Sequence, residues 1–376
     1  MTVGMAGRPL AARMGEAAAS KGRAVVPGVG SFLHPISPRA SVADLWSTMD
    51  IAAAAGETAL QRSGSPKLDL AARARLRAYV NQARQYYEAV TNADPVAKPL
   101  LGYYFVLNAA KAYLTAIDPD STKKSASHGI GQNNSHMQDP YDFYQEHFEV
   151  KPPGVFQLLA RKSGRGYVWS AGSMKLSRLM PYLAESTDLF SSSFGIRPAL
   201  IPIDSIRVES SGKRPDQDAW LSVEISRNAL KEAELSPRLL LTRAAAFAES
   251  FDLVDAGSDA TATYQLKQPV HYSAMPAPLS GLREAFDRSL IVRNRSLAQP
   301  RDSVIISPHV DLVSSEGITF AVMIHLSNMV RYRPHHVEEL RGSGHWWLFT
   351  SWVDRACENF LLAVSSRIAL EEHLVS

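Results

Sequence analysis

The chain has 376 residues, 45% of them hydrophobic and 20% charged, which is enough apolar material for a large core and excludes a disordered chain. A single cysteine, Cys357, excludes an internal disulfide and any zinc site built from several cysteines. The formal charge is +3, yet residues 1–40 hold five basic side chains against one acidic, a net +4, and leave −1 for the rest. The basic pI of 8.8 is thus a property of the tail and does not argue for nucleic-acid binding by the whole chain.

Residues 1–40, rich in Ala, Gly and Arg, read as a flexible basic tail. Arg8, Arg13, Glu16, Lys21 and Arg23 interrupt any signal-peptide apolar run, and no stretch is long enough to span a membrane. Order is expected from Ser41, where Ser41 and Asp44 form a capping pattern ahead of Leu45, Trp46, Met49 and Ile51. Asp69 to Ala89 has the spacing of an amphipathic helix, with Arg73, Arg75, Arg77 and Arg84 around its apolar face. These arginines read as a solvated face or, alternatively, a basic stripe. Leu100 to Ile117 is apolar on nearly every side and belongs at the centre of a helical bundle. Asn108 and Lys111 interrupt it, and both need partners if buried. A polar loop follows, Asp120 to Asp139, containing His128, Gly129, Asn133, Asn134 and His136.

From about 148 to 312 the texture changes to short strand-like pieces, Tyr167–Ser170, Trp220–Ile225, Thr261–Leu266 and Ser303–Ile306, with a helix at Ser236–Ser250 and frequent prolines. Ser315 to Arg331 is again a long apolar helix, stopped at Pro334. A short helix over His335–Arg341 and a final helix or helix pair over His345–His373 complete the chain. The expectation is an α+β protein, mainly α. The segments 41–147 and 313–376 pack together as a helical core around a mixed α+β region at 148–312.

Three stretches together resemble the YaaC-like family of bacteria. One is Gln82–Tyr87 with Pro99–Tyr104 and Leu107–Leu114; another is His128-Gly129 with Gly154-Val155-Phe156. The third is Leu326–Pro334, ending in Arg331-Tyr332-Arg333-Pro334, with the pair Trp346-Trp347 beyond it. Asn328 stands in that last helix where an apolar residue is expected. The resemblance implies a bacterial, cytoplasmic protein with a helical core, and brings no agreed catalytic mechanism.

Two constellations carry candidate chemistry. Arg331 and His336 have the spacing used by helical ribonucleases of the HEPN type. There arginine stabilises phosphate charge and histidine moves a proton when a 2′-hydroxyl attacks. Against this, Pro334 breaks the helix between them, and Arg331 and Arg333 also suit a structural role, paired with carboxylates such as Glu338 or Glu339. The second constellation sets Tyr104, Asn108 and Lys111 on one helical face, with His128 from the following loop. It reads as a phosphate or nucleotide pocket, with Lys111 as cation and Asn108 as orienting amide, or else as a hydrogen-bonded network that fixes helix register. If the pocket exists, Arg331 or Arg333 is expected to approach it.

No metal site or cofactor is expected: His309-Val310-Asp311 lacks further ligands, and no phosphate-loop or nucleophile-elbow motif is present. Cys357 and the tryptophans 346, 347 and 352 read as core. The favoured function is a non-catalytic binding or assembly protein in bacterial stress response or phage defence. Its partner would be another protein or a second copy, and its ligand a nucleotide or RNA. The alternative is a metal-independent ribonuclease.

Overall fold

The protein is described here by a computed structural model, which covers residues 24–26, 41–55, 67–124, 127–132, 143–151, 154–163, 172–183, 193, 195, 199–210, 217–255, 260–272, 291–294, 301–306 and 314–369. The N-terminal half begins with β1 (Ala24–Val26) and the helices α1 (Val42–Ala55), α2 (Leu70–Asn92), α3 (Lys98–Ile117) and α4 (Ser121–Lys124). Then come β2 (Ile130–Gln132), β3 (His147–Val150), α5 (Val155–Ser163) and β4 (Gly172–Lys175). The middle holds β5 (Leu200–Pro202), β6 (Ser205–Ser210), β7 (Gln217–Ser226), α6 (Arg227–Glu232), α7 (Pro237–Arg243) and α8 (Ala245–Ser250). It continues through β8 (Phe251–Asp255), β9 (Thr261–Leu266), β10 (Val270–Tyr272), β11 (Ile291–Asn294) and β12 (Arg301–Ile305). The C-terminal helices are α9 (Ser315–Tyr332), α10 (Pro334–Gly342) and α11 (Trp346–Ala369). The architecture is mainly α, with small antiparallel sheets.

The helix starts follow local chemistry. Ser41 and Asp44 cap each other: the Ser41 N–H donates to Asp44 Oδ2 (2.7 Å) and the Asp44 N–H to Ser41 Oγ (3.2 Å). The Asp69 carboxylate accepts from the Ala72 N–H at 2.6 Å at the head of α2. Helix α3, buried on almost every side, is the hub against which α2, α9 and α11 pack. Gly102 permits the close approach, because a methyl group there would lie 2.9 Å from Met323 Sδ and 3.2 Å from Val353. Both chain ends therefore contribute to one core, which includes Phe105, Phe320, Trp352 and Cys357. Burial pushes the Cys357 thiol far up, as befits a core residue. Trp346 and Trp352 are buried as expected, whereas Trp347 is exposed.

A second core lies between the six-stranded sheet, ordered β1-β6-β7-β9-β8 with β10 also on β7, and the helices α6–α8. Strand β9 alternates buried and half-buried residues, directing Ala262, Tyr264 and Leu266 onto this core. The two remaining sheets are β11-β12-β5 and β2-β3-β4.

Several expectations need correction. Order does not begin at Ser41: Ala24–Val26, with two β-branched valines, pairs antiparallel with Val208–Ser210 at the sheet edge. The rest of 1–40 lies outside the described residues, as do Tyr167–Ser170, Asn133, Asn134, His136 and His309–Asp311. The stretch expected as one helix over Ser236–Ser250 is two, α7 and α8, separated at Ala244. Residues of β3, α5 and the turns through Leu183 belong to the first core, although their texture matches the middle region. Among the described residues no helix is long and apolar enough to cross a membrane.

Candidate functional site

Helices α2 and α3 run antiparallel, joined by a five-residue connection. Two cross-pairs set their register: Tyr86 stacks on Tyr104 (centroids 5.1 Å, interplanar 22°), and two turns away Lys111 Nζ lies 5.6 Å above the Tyr79 ring. Tyr104 and Lys111 are half-buried on the same α3 face. Burial lowers the Lys111 amine from its ordinary range, and no carboxylate pairs with it among the described residues.

His128 is positioned by main chain. The N–H groups of Val155 and Phe156, at the head of α5, donate to the carbonyls of Ser127 (3.1 Å) and His128 (3.1 Å), and the Lys151 N–H donates to Gly129 O (2.9 Å). Gly129 has φ of +79°, and a methyl group on Gly154 would sit 2.1 Å from Gly129 Cα, so the two glycine backbones touch. The His128-Gly129 and Gly154-Val155-Phe156 motifs are two sides of this one contact. It holds the His128 ring edge-on to Tyr103, centroids 6.3 Å apart.

Arg331 arrives from the last turn of α9. Its Nη2 donates to Asn328 Oδ1 at 2.7 Å, and its guanidinium lies 5.5 Å from the Tyr103 ring and 4.9 Å from the exposed Tyr332 ring. Arg331 is half-buried and has no carboxylate partner among the described residues. Burial raises the Tyr103 phenol to about 12, with Arg331 opposing the rise. Burial also lowers the His128 imidazole, and the charges of Arg331 and Lys111 lower it further, while the Ile130 backbone acts the other way. Nδ1 of His128 is buried without a hydrogen-bond partner. His128 and Arg331 thus meet at the Tyr103 ring, and Lys111 lies further along α3 over Tyr79.

Of the residues singled out from sequence, Tyr104, His128 and Arg331 lie about the Tyr103 ring, Lys111 lies two turns along α3 over Tyr79, and Asn108 does not serve as expected. It is buried, and its Nδ2 donates to the Tyr104 carbonyl one turn back at 2.8 Å, which ties the amide to its own helix. Arg333 caps α9 in non-helical backbone and turns inward to Glu146, Nη1 to Oε1 at 2.7 Å, with side-chain exposures of 8% and 4%. Its carboxylate is therefore Glu146, not Glu338 or Glu339; Glu338 pairs with Arg341. His336 is 5% exposed, stacked edge-on against His335, and acts together with Arg333 on the fully buried His325. These contacts do not overlap with those of Arg331, and Pro334 starts α10 between them.

Sequence reasoning noted Asn328 only as an oddity in its helix and gave no role to Tyr103. Asn328 had a signal, a polar residue one turn before an arginine in an apolar helix. Tyr103 had none beyond lying next to Tyr104. Three of the four α2 arginines turn back onto the fold: Arg73 Nε donates to Leu68 O, Arg75 Nη2 to Pro119 O, and Arg84 pairs with Asp50. Among the described residues no group of three His, Cys, Asp or Glu side chains is placed to hold a metal.

The fold defines a mainly helical α+β protein with small antiparallel sheets. The profile of the YaaC-like protein family matches residues 57–368, and the chain belongs to that family. No curated protein and no solved structure matches the chain.

Proposed function

We propose that this chain is a non-catalytic binding protein whose ligand carries phosphate, held by Lys111 and Arg331 beside His128. One observation carries the reading. Two half-buried cations, Lys111 over Tyr79 and Arg331 over Tyr103, stand along one aromatic face that includes α3, with no carboxylate on either among the described residues. A partly desolvated cation with no carboxylate of its own gains from an anion brought to it. An arginine fork and a lysine point charge are the side chains that phosphate binding uses most. The setting we carry with this reading is the bacterial cytoplasm, in stress response or phage defence.

The test is a thermal-shift titration of the full chain with inorganic phosphate and with uridine monophosphate. A saturable rise in Tm is expected for the wild type and its loss in Arg331→Gln and Lys111→Gln. Equal shifts in all three proteins, or none in the wild type, remove the reading.

The ribonuclease alternative requires Arg331 and His336 to share a groove, and the burial of His336 against Arg333 and His325 counts against it. With total RNA in EDTA, we expect no cleavage that depends on His336. Cleavage lost in His336→Ala would reinstate it.

A further inference from the structure

The half-buried face around the two cations continues as a row. Tyr79 lies under Lys111, Tyr86 and Tyr104 stack in the middle, and Arg331 bridges Tyr103 to Tyr332, which is 67% exposed. From Lys111 to Tyr104 is seven residues, about 10 Å along the helix, and Arg331 and Tyr332 extend the row from the side of Tyr103. Cation and aromatic thus alternate along a partly open surface.

That alternation is the chemistry of a single-strand nucleic-acid site, in which bases stack on aromatic faces while Lys and Arg take the phosphates. A duplex hides its base faces and would use only the cations. The buried Nδ1 of His128 adds a second requirement. It has no hydrogen-bond partner, and its ring lies edge-on to the Tyr103 that Arg331 covers; a ribose 2′-hydroxyl, both donor and acceptor, suits either tautomer. A deoxyribose offers nothing there. We propose that this row binds a short single-stranded RNA, with phosphates on Lys111 and Arg331, a base on Tyr332 and a 2′-hydroxyl on His128. The inference rests on the phosphate-binding reading above and narrows its ligand.

The experiment is fluorescence anisotropy of the full chain with a labelled single-stranded RNA of about six nucleotides, within the span of known single-strand sites. The matched DNA strand, the duplex RNA and uridine monophosphate compete. The RNA strand is expected to bind most tightly. Tyr332→Ala, at an exposed position that leaves the fold intact, should weaken it about tenfold. Two phosphate contacts predict that log affinity falls with log salt at a slope of about −1.4, reduced to about −0.7 in Arg331→Gln. His128→Ala should erase the preference of RNA over DNA.

An RNA strand that binds no better than the mononucleotide overturns this inference while leaving phosphate binding in place. So does equal affinity for DNA or duplex, or a Tyr332→Ala protein of unchanged affinity. Absence of binding by every probe overturns both.

Discussion

Arg331 and Arg333 stand two residues apart and end in opposite circumstances. Arg333 is sealed in the core with its charge answered by Glu146 at 2.7 Å. Arg331 lies half-open over two tyrosines, answered only by the amide oxygen of Asn328. The divergence comes from the backbone: Arg331 is still helical, whereas Arg333, with φ −142° and ψ 58°, has left the helix and points its side chain elsewhere. A buried cation with its own carboxylate is part of the scaffold, and one without is free to meet a ligand. The Arg-Tyr-Arg-Pro motif therefore holds two roles: a ligand-facing arginine and an inward anchor, with Tyr332 between them and Pro334 starting the next helix.

The largest effect expected on the scaffold side is from acid. His325, fully buried beside Arg333 and His336, has its imidazole pushed down to about 3, burial being the main cause. The folded protein binds this proton less readily than the unfolded chain, so the stability it confers is complete above about pH 6.5 and is lost as pH falls toward 3. The loss amounts to about 5 kcal/mol at most. Chemical denaturation across this range should show the slope, and His325→Leu should flatten it. An unchanged slope would mean that His325 titrates freely and that this cluster is not dry.

Next, Arg333→Met strands the Glu146 carboxylate and should cost about 3–5 kcal/mol, most of it recovered in the double variant Arg333→Met/Glu146→Met. Arg331→Gln should cost less than about 1 kcal/mol in the absence of ligand, as half-exposed charges do. Denaturant midpoints decide the matter, and equal costs at the two arginines would dissolve the contrast.

The smallest effect concerns His128. Its imidazole is lowered by burial and by two cations, so the free site is neutral at pH 7. Phosphate brought to these cations opposes that lowering, so binding should take up a proton and strengthen as pH falls through the range between the free and bound values. Calorimetry in buffers of different ionisation heat should count a fraction of one proton in the wild type and none in His128→Gln. Proton release in the wild type would contradict the arrangement.

Much of the helical fold is written in local chemistry. The Ser41–Asp44 and Asp69 caps, the all-round apolarity of α3 and the stop at Pro334 each act within a turn or two of their own residue, so a linear reading finds them. The partner of Arg333 is not local. Glu146 lies 187 residues away, and nothing in its neighbourhood marks it above Glu338 or Glu339. The same distance hides the pairing of Ala24–Val26 with β6, which depends on an open sheet edge rather than on tail composition. At the site, the approach of Arg331 to the Tyr103 ring of α3 followed from expecting the first and last helices to pack. Asn108 misled because a buried asparagine can be satisfied by its own helix as readily as by a ligand.

The touching backbones of Gly129 and Gly154 have a bearing on how such chains can vary. Main-chain bonds from Lys151, Val155 and Phe156 to residues 127–129 close a neck beside His128, where the chain leaves at Gly129 and returns at Gly154. A side chain at either glycine forces the strands apart and displaces the ring. A single methyl at that neck is costly.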